Sequence, residues 1–155
     1  MNTTTLRALI VGLLIAIWAW VAGAARLHLS LWAGLVALGC CFAAGGGVTG
    51  LQKTVLATLS GIVWVLVADM VRVAIGGGSV VGALVLGATA LVLVLQARLP
   101  LLSFTAGAFA GAGVALGLGV NTVQEGIRAG VALAVGAALG FAAERLADRV
   151  GMRRG

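Results

Sequence analysis

The stretch Ala25-Arg26-Leu27-His28-Leu29-Ser30-Leu31-Trp32-Ala33-Gly34 returns further along the chain as Ala97-Arg98-Leu99-Pro100-Leu101-Leu102-Ser103-Phe104-Thr105-Ala106-Gly107. The offset is 72 residues at Arg26 and Arg98, 73 at Ser30 and Ser103, and 75 where Lys53 meets Arg128, Gly61 meets Gly136 and Asp69 meets Glu144. A chain rich in Ala, Gly, Leu and Val matches itself easily by chance, so the scarce residues carry the comparison. Arg falls on Arg, Ser on Ser, Lys on Arg and Asp on Glu, all in order. If each copy holds three membrane-spanning helices, an odd number, the second copy enters the bilayer from the side opposite to the first. That is an inverted-topology repeat.

Composition places this repeat in a membrane. The 155 residues are 62% hydrophobic and 9% charged, against about a quarter charged in soluble domains, and the mean hydropathy is +1.20. The expectation is an all-α, polytopic membrane protein: one transmembrane domain over residues 1–155, with repeat 1 at about 6–75 and repeat 2 at about 79–150. The run Leu6 to Ala25 has Arg7 before it and Ala22-Gly23-Ala24 at its end, which resembles a signal peptide with a cleavage site. Its 20 residues, Trp18, Trp20 and the apolar segments that follow favour a retained first helix.

A net charge of +6 raises nucleic acid as a partner. The basic residues, however, stand singly between apolar blocks until Arg145, Arg149, Arg153 and Arg154. That tail reads as a topology anchor that also suits anionic lipid headgroups, and no nucleic-acid partner is expected. Cys40 and Cys41 are adjacent within an apolar segment, where a disulfide between them would be strained, and read as small packing residues.

At about 20 residues per span, the apolar runs give six helices: Leu6 to Ala25, Leu29 to Ala44, Leu51 to Ile75, Ser79 to Ala97, Leu101 to Leu118 and Val123 to Ala147. Turn chemistry separates them: Arg26 and His28, the glycine run from Gly45 to Gly50, Gly76-Gly77-Gly78, Arg98-Leu99-Pro100 and Gly119-Val120-Asn121-Thr122. Placing the N-terminus and even-numbered loops on one side collects seven basic residues (Arg7, Lys53, Arg98 and the four tail arginines) against Arg26, Arg72 and Arg128 on the other. Positive charge stays cytoplasmic, so both termini are expected in the cytoplasm of a bacterial inner membrane. Without the tail the balance is three against three.

Helices two and five are the richest in small residues, with Gly34, Gly39 and Gly45 to Gly47 on one and Gly107, Gly111, Gly113, Gly117 and Gly119 on the other. Small residues four apart let helices approach closely, which serves tight packing or an oligomer seam. The same glycines would also expose backbone along a narrow conduit, or end a helix within the membrane. Ionisable groups sit near helix ends: Asp69 lies one turn before Arg72, and Glu144 has Arg145 and Asp148 nearby, so interfacial ion pairing is expected ahead of a proton relay. Lys53 and Arg128 read as interface anchors, and His28 as a solvated loop residue or a pH sensor.

Ser30 and Ser103 each open a small-residue helix, next to Trp32 in one copy and Thr105 in the other. Hydroxyls and aromatics along a narrow path suit an uncharged polar solute, which needs hydrogen bonds and no counter-charge. The candidate pore-lining or solute-binding residues are therefore Ser30, Trp32, Gly34, Ser103, Thr105 and Gly107. Trp64, mid-way along helix three, is either a packing residue or a constriction. No catalytic constellation, cofactor loop or metal-ligand spacing is present, so an enzyme is not expected and the cofactor and metal sets are empty.

Trp18-Ala19-Trp20, Ser30-Leu31-Trp32-Ala33-Gly34, Gly45 to Gly47, Leu59-Ser60-Gly61 with Trp64, Gln96-Ala97, and Leu102-Ser103-Phe104 followed by Gly107, Phe109 and Gly111 together resemble the YcdZ-type family of small bacterial inner-membrane proteins, a domain of unknown function. Ala106 stands where that family's pattern carries a proline. The resemblance implies a multi-span inner-membrane protein and no particular substrate.

The function expected from these residues is a channel or facilitator for a small neutral or weakly polar solute of the urea, amide, ammonia or water type, assembled as a homo-oligomer in the lipid bilayer. The alternatives are an accessory membrane protein that binds a partner complex and carries no solute, and an ion-coupled transporter using Asp69 or Glu144. Because orientation rests on the tail, replacing Arg145, Arg149, Arg153 and Arg154 by Gln is expected to give mixed orientation in a reporter-fusion assay. A single unchanged orientation would contradict the charge argument.

Overall fold

The computed structural model describes residues 3–24 and 30–152, and every regular element among them is helical. The order is α1 (Thr3–Ala24), α2 (Leu31–Ala43), α3 (Gly47–Ala74), α4 (Ser79–Leu95), two short 3-10 turns (Gln96–Arg98 and Pro100–Leu102), α5 (Thr105–Gly117) and α6 (Val123–Met152). The expected turn at Arg26 and His28, and the tail residues Arg153 and Arg154, lie outside the described residues.

Six helices appear where six were expected, but α2 and α5 are shorter than a span, and the apolar segment Ala8–Ala22 of α1 also falls below that length. Among the described residues, three segments are long and apolar enough to cross a bilayer: Gly47–Ala74, Ser79–Arg98 and Val123–Val150. α2 and α5 have 13 residues each, about 20 Å of helix against a hydrocarbon core of about 30 Å. The helix expected to start at Leu101 starts at Thr105 instead. Pro100 opens a 3-10 turn after extended Leu99 (φ −85°, ψ 125°), and Phe104 (φ −83°, ψ 74°) is not helical either. In the other direction, α3 begins at Gly47 and α6 runs on to Met152, each beyond the limits set by hydropathy.

α2 and α5 stop in the same way. Gly45 (φ 95°) and Gly119 (φ 66°) are left-handed, and the next amide reaches back to the last turn: Gly46 N donates to Cys41 O at 3.0 Å and Val120 N to Ala115 O at 2.9 Å. This is the Schellman stop, which glycine adopts without a Cβ penalty.

Packing follows the same correspondence. α2 packs most extensively on α6 and α3 on α5; α3 also packs on α6, α1 on α6 and α4 on α3. Exchanging the two halves of the chain turns α2 against α6 into α5 against α3, and α1 against α6 into α4 against α3. α3 runs antiparallel to both α6 and α4: the start of α3 touches α6 near its end, at Glu144, while Arg72 near the end of α3 lies against Gly82 at the start of α4.

The core is largely alanine, including Ala33, Ala37, Ala57, Ala108, Ala115, Ala132 and Ala137, and its two crossings are closed at glycine. A Cβ on Gly136 would run into the backbone of Gly34. One on Gly61 would meet the backbone of Ala108 and Ala112, and one on Gly111 that of Thr58. Backbone meets backbone here, which is how apolar helices gain dispersion contact where lipid removes any hydrophobic drive. Gly39 and Gly113 face open space. Gly111→Leu or Gly136→Leu should therefore cost about 3 kcal/mol or more in a detergent unfolding titration, while Gly113→Ala should change stability by less than about 0.5 kcal/mol.

Candidate functional site

The scarce polar groups gather in three places. Within α3, Thr58 Oγ1 donates to Thr54 O at 2.8 Å and Ser60 Oγ to Ala57 O at 2.7 Å, the usual resolution for hydroxyls in apolar surroundings. Ser60 then accepts from Gln96 Nε2 at 3.0 Å, and Gln96 Oε1 accepts from Trp64 Nε1 at 3.2 Å. This network joins the middle of α3 to the end of α4. Gln96 is buried and its amide is held at both ends, with Trp64 as one of its two partners. Thr54 Oγ1 and Trp18 Nε1 are buried without a hydrogen-bond partner among the described residues.

At one end of the bundle, Glu144 of α6 reaches across to accept a hydrogen bond from Gly47 N at 2.6 Å, and its carboxylate touches Gly46. A carboxylate at the start of α3 satisfies a free amide and complements the helix dipole. Among the described residues Arg145 lies over the Phe141 ring of its own helix, 5.2 Å from its centroid. Cys41, buried and free, packs against Gly140 on the same α2–α6 seam.

At the other end, Asp69 and Arg72 form the ion pair that their spacing predicts, with Arg72 Nη2 and Nε donating to Asp69 Oδ1 at 2.7 and 3.2 Å. They line a cleft of about 360 Å³ between α3, α4 and α5, with Val65, Leu86, Leu116 and Asn121 among its other walls. Beside it, Glu125 accepts from the amides of Asn121 and Thr122, and Glu125 N donates to Thr122 Oγ1. That reciprocal capping box starts α6.

The candidate pore residues are distributed along the bundle. Ser30 precedes α2 and lines a pocket of about 170 Å³ with Leu118, Val120, Glu125 and Arg128, next to the end of α5. Ser103 precedes α5 and is exposed, donating to Pro100 O at 2.9 Å; Thr105, half-buried, opens the helix. The length of α5, about 20 Å, separates the two serines. Trp32 is exposed, with its ring edge against Gly117. Gly34 faces Trp18 Nε1 and Ala132 O, and Gly107 faces the Phe104 ring and Ala57, so at both positions the absent side chain makes room for a neighbour.

The Ser60–Gln96–Trp64 network was not recognised as a unit from sequence. Its members lie 32 and 36 residues apart, and hydropathy does not pair them. The signal available was the presence of all three among the quoted motifs.

The family described as Protein of unknown function (DUF1097) matches residues 8–148. The chain is 35% identical over 113 residues to an Escherichia coli (strain K12) protein named Inner membrane protein YcdZ, covering 72% of this chain and 68% of that protein. It is 36% identical over 113 residues to the protein of the same name from Salmonella typhimurium (strain LT2), covering 72% and 69%. No solved structure matches the chain.

Gln96→Ala is expected to destabilise the protein by about 1–2 kcal/mol in a denaturant titration, because it strands Trp64 Nε1 and removes the bond that Ser60 accepts. Ser60→Ala should cost less, since Gln96 keeps its bond from Trp64.

Proposed function

The chain belongs to the DUF1097 family of proteins of unknown function, and from that premise we propose an inner membrane protein, as its YcdZ relatives are named. In this reading its six helices all cross the bilayer as two oppositely oriented triplets. The matched packing of α2 on α6 and α3 on α5, the antiparallel run of α3 against α4 and α6, and the shared Schellman stops support it. The helices give passage to a small neutral or weakly polar solute.

The observation that carries the functional reading is the equal shortness of α2 and α5, at 13 residues each, in corresponding positions of the two halves. A short helix at the centre of an inverted repeat ends below the membrane surface, bringing polar chain termini and water inward, where solute sites form in such folds. Ser30 at the start of α2 and Ser103 with Thr105 at the start of α5 then offer hydroxyls at opposite ends of the path, with Trp32 beside the first. No charged side chain is buried among the described residues, which suits an uncharged solute. Assembly into a homo-oligomer would cover the exposed faces of α4, including Leu84 and Leu91.

A second reading, an accessory protein that carries no solute, is favoured by the closure of both helix crossings at Gly61, Gly111 and Gly136. Flux separates the two. Purified protein in liposomes should accelerate uptake of at least one of urea, acetamide, ammonia and water, and Thr105→Leu or Ser30→Leu should reduce that rate about tenfold while the protein stays folded. Rates equal to those of protein-free liposomes across the panel would overturn passage. For topology, single cysteines replacing Arg98 and Asn121, in a background lacking Cys40 and Cys41, should label from opposite sides of the membrane. Labelling from one side would overturn the six-span arrangement.

A further inference from the structure

The two halves differ at one carboxylate. In the first seam Glu144 reaches the glycine turn that starts α3 and bonds Gly47 N. Its counterpart Asp69 is one methylene shorter and turns to Arg72 on its own helix, while the equivalent turn at Gly119 to Asn121 is capped by Glu125 instead. The space beside Asp69 is left as the cleft of about 360 Å³, within the size range of small-molecule sites.

Three features of that cleft say what fits it. First, its polar end is an ion pair in which one carboxylate oxygen takes both contacts, so Asp69 Oδ2 and Arg72 Nη1 have no hydrogen bond among the described residues. With side chains 26% and 47% exposed respectively, the pair can be addressed from outside. Second, it lies within two turns of the end of α3 and near the start of α4, the depth at which lipid headgroups meet a spanning helix. Third, an apolar groove of about 160 Å³ between α3 and α4, lined by Trp64, Val71, Ala88 and Val92, shares Ala68 and Val85 with the cleft and continues it along the helices.

We infer that the cleft at Asp69 and Arg72, with the α3–α4 groove below it, is a binding site for a phospholipid whose zwitterionic headgroup carries a primary ammonium. The phosphate takes Arg72, the ammonium takes Asp69 Oδ2, and an acyl chain lies along the groove. A primary ammonium donates hydrogen bonds to the carboxylate and a quaternary one does not, so phosphatidylethanolamine is held in preference to phosphatidylcholine. The site stands independently of solute passage, since its anchors Asp69 and Arg72 are not among the residues assigned to that path.

Native mass spectrometry of the full chain, released from micelles holding phosphatidylethanolamine, phosphatidylcholine and phosphatidylglycerol of matched acyl chains in equal amounts, tests this. The expected result is retention of phosphatidylethanolamine over phosphatidylcholine by about tenfold, a ratio falling to about one in Asp69→Asn. Arg72→Gln should lower retention of both, and Ala88→Leu, which narrows the groove, should lower retention of phosphatidylethanolamine. Equal retention in the unaltered protein, an unchanged ratio in Asp69→Asn, or preference for phosphatidylglycerol would overturn the assignment. Displacement of the lipid by an equal concentration of soluble glycerophosphoethanolamine would identify a free zwitterion as the occupant and overturn the lipid. Should Arg72→Gln fail to fold, the Asp69→Asn ratio, read on folded protein, still decides.

Discussion

The structure depends on two places where helix backbones touch. At Gly136 against Gly34, and at Gly61 and Gly111 against α5 and α3, no room exists for a single carbon. In water a core of alanine and glycine would be a poor one, because each buried side chain removes so little apolar surface. In lipid that term vanishes between helices, and what remains is dispersion, backbone dipoles and weak Cα–H to carbonyl contacts, all of which grow as the axes approach. The alanine-rich core around Ala57, Ala108, Ala132 and Ala137 follows from the same constraint, since anything larger would hold the helices apart.

Close approach also explains how the polar residues are distributed. A helix pair that touches at backbone leaves no space for a side-chain network at the crossing, so hydroxyls there bond their own helix, as Thr58 does to Thr54 O. Longer polar side chains are pushed to where helices diverge. Gln96 meets Trp64 and Ser60 at the end of α4, Glu144 meets Gly47 at the end of the α2–α6 seam, and Asp69 meets Arg72 where α3, α4 and α5 splay. Polarity therefore marks the openings of this bundle.

Much of this was legible in the residues themselves. α1, α2 and α4 appear close to the expected limits because their apolar runs are bounded by glycine or charge, as at Gly76 to Gly78 before α4. The limits of α5 were not legible, because Leu99, Leu101, Leu102 and Phe104 are as apolar as the helix they precede, and hydropathy reports the environment of a residue without its φ and ψ. Only Pro100 signalled the irregular segment, and it lies five residues before the helix begins. The pairing of Asp69 with Arg72 follows from spacing within one helix. The pairing of Glu144 with Gly47, across 97 residues, requires knowing which helices adjoin.

The difference between those two carboxylates shows how a near-symmetric fold acquires two unlike ends. The two halves carry one carboxylate each at corresponding positions, Asp69 and Glu144. Lengthening one side chain by a methylene lets Glu144 seal its seam with a bond to a backbone amide, and holding Asp69 one turn from Arg72 keeps the other acid away from the matching turn. The glycine stops, the backbone contacts and the lengths of α2 and α5 correspond in the two halves. One end of the bundle is thereby fastened and the other keeps a cleft with an accessible ion pair.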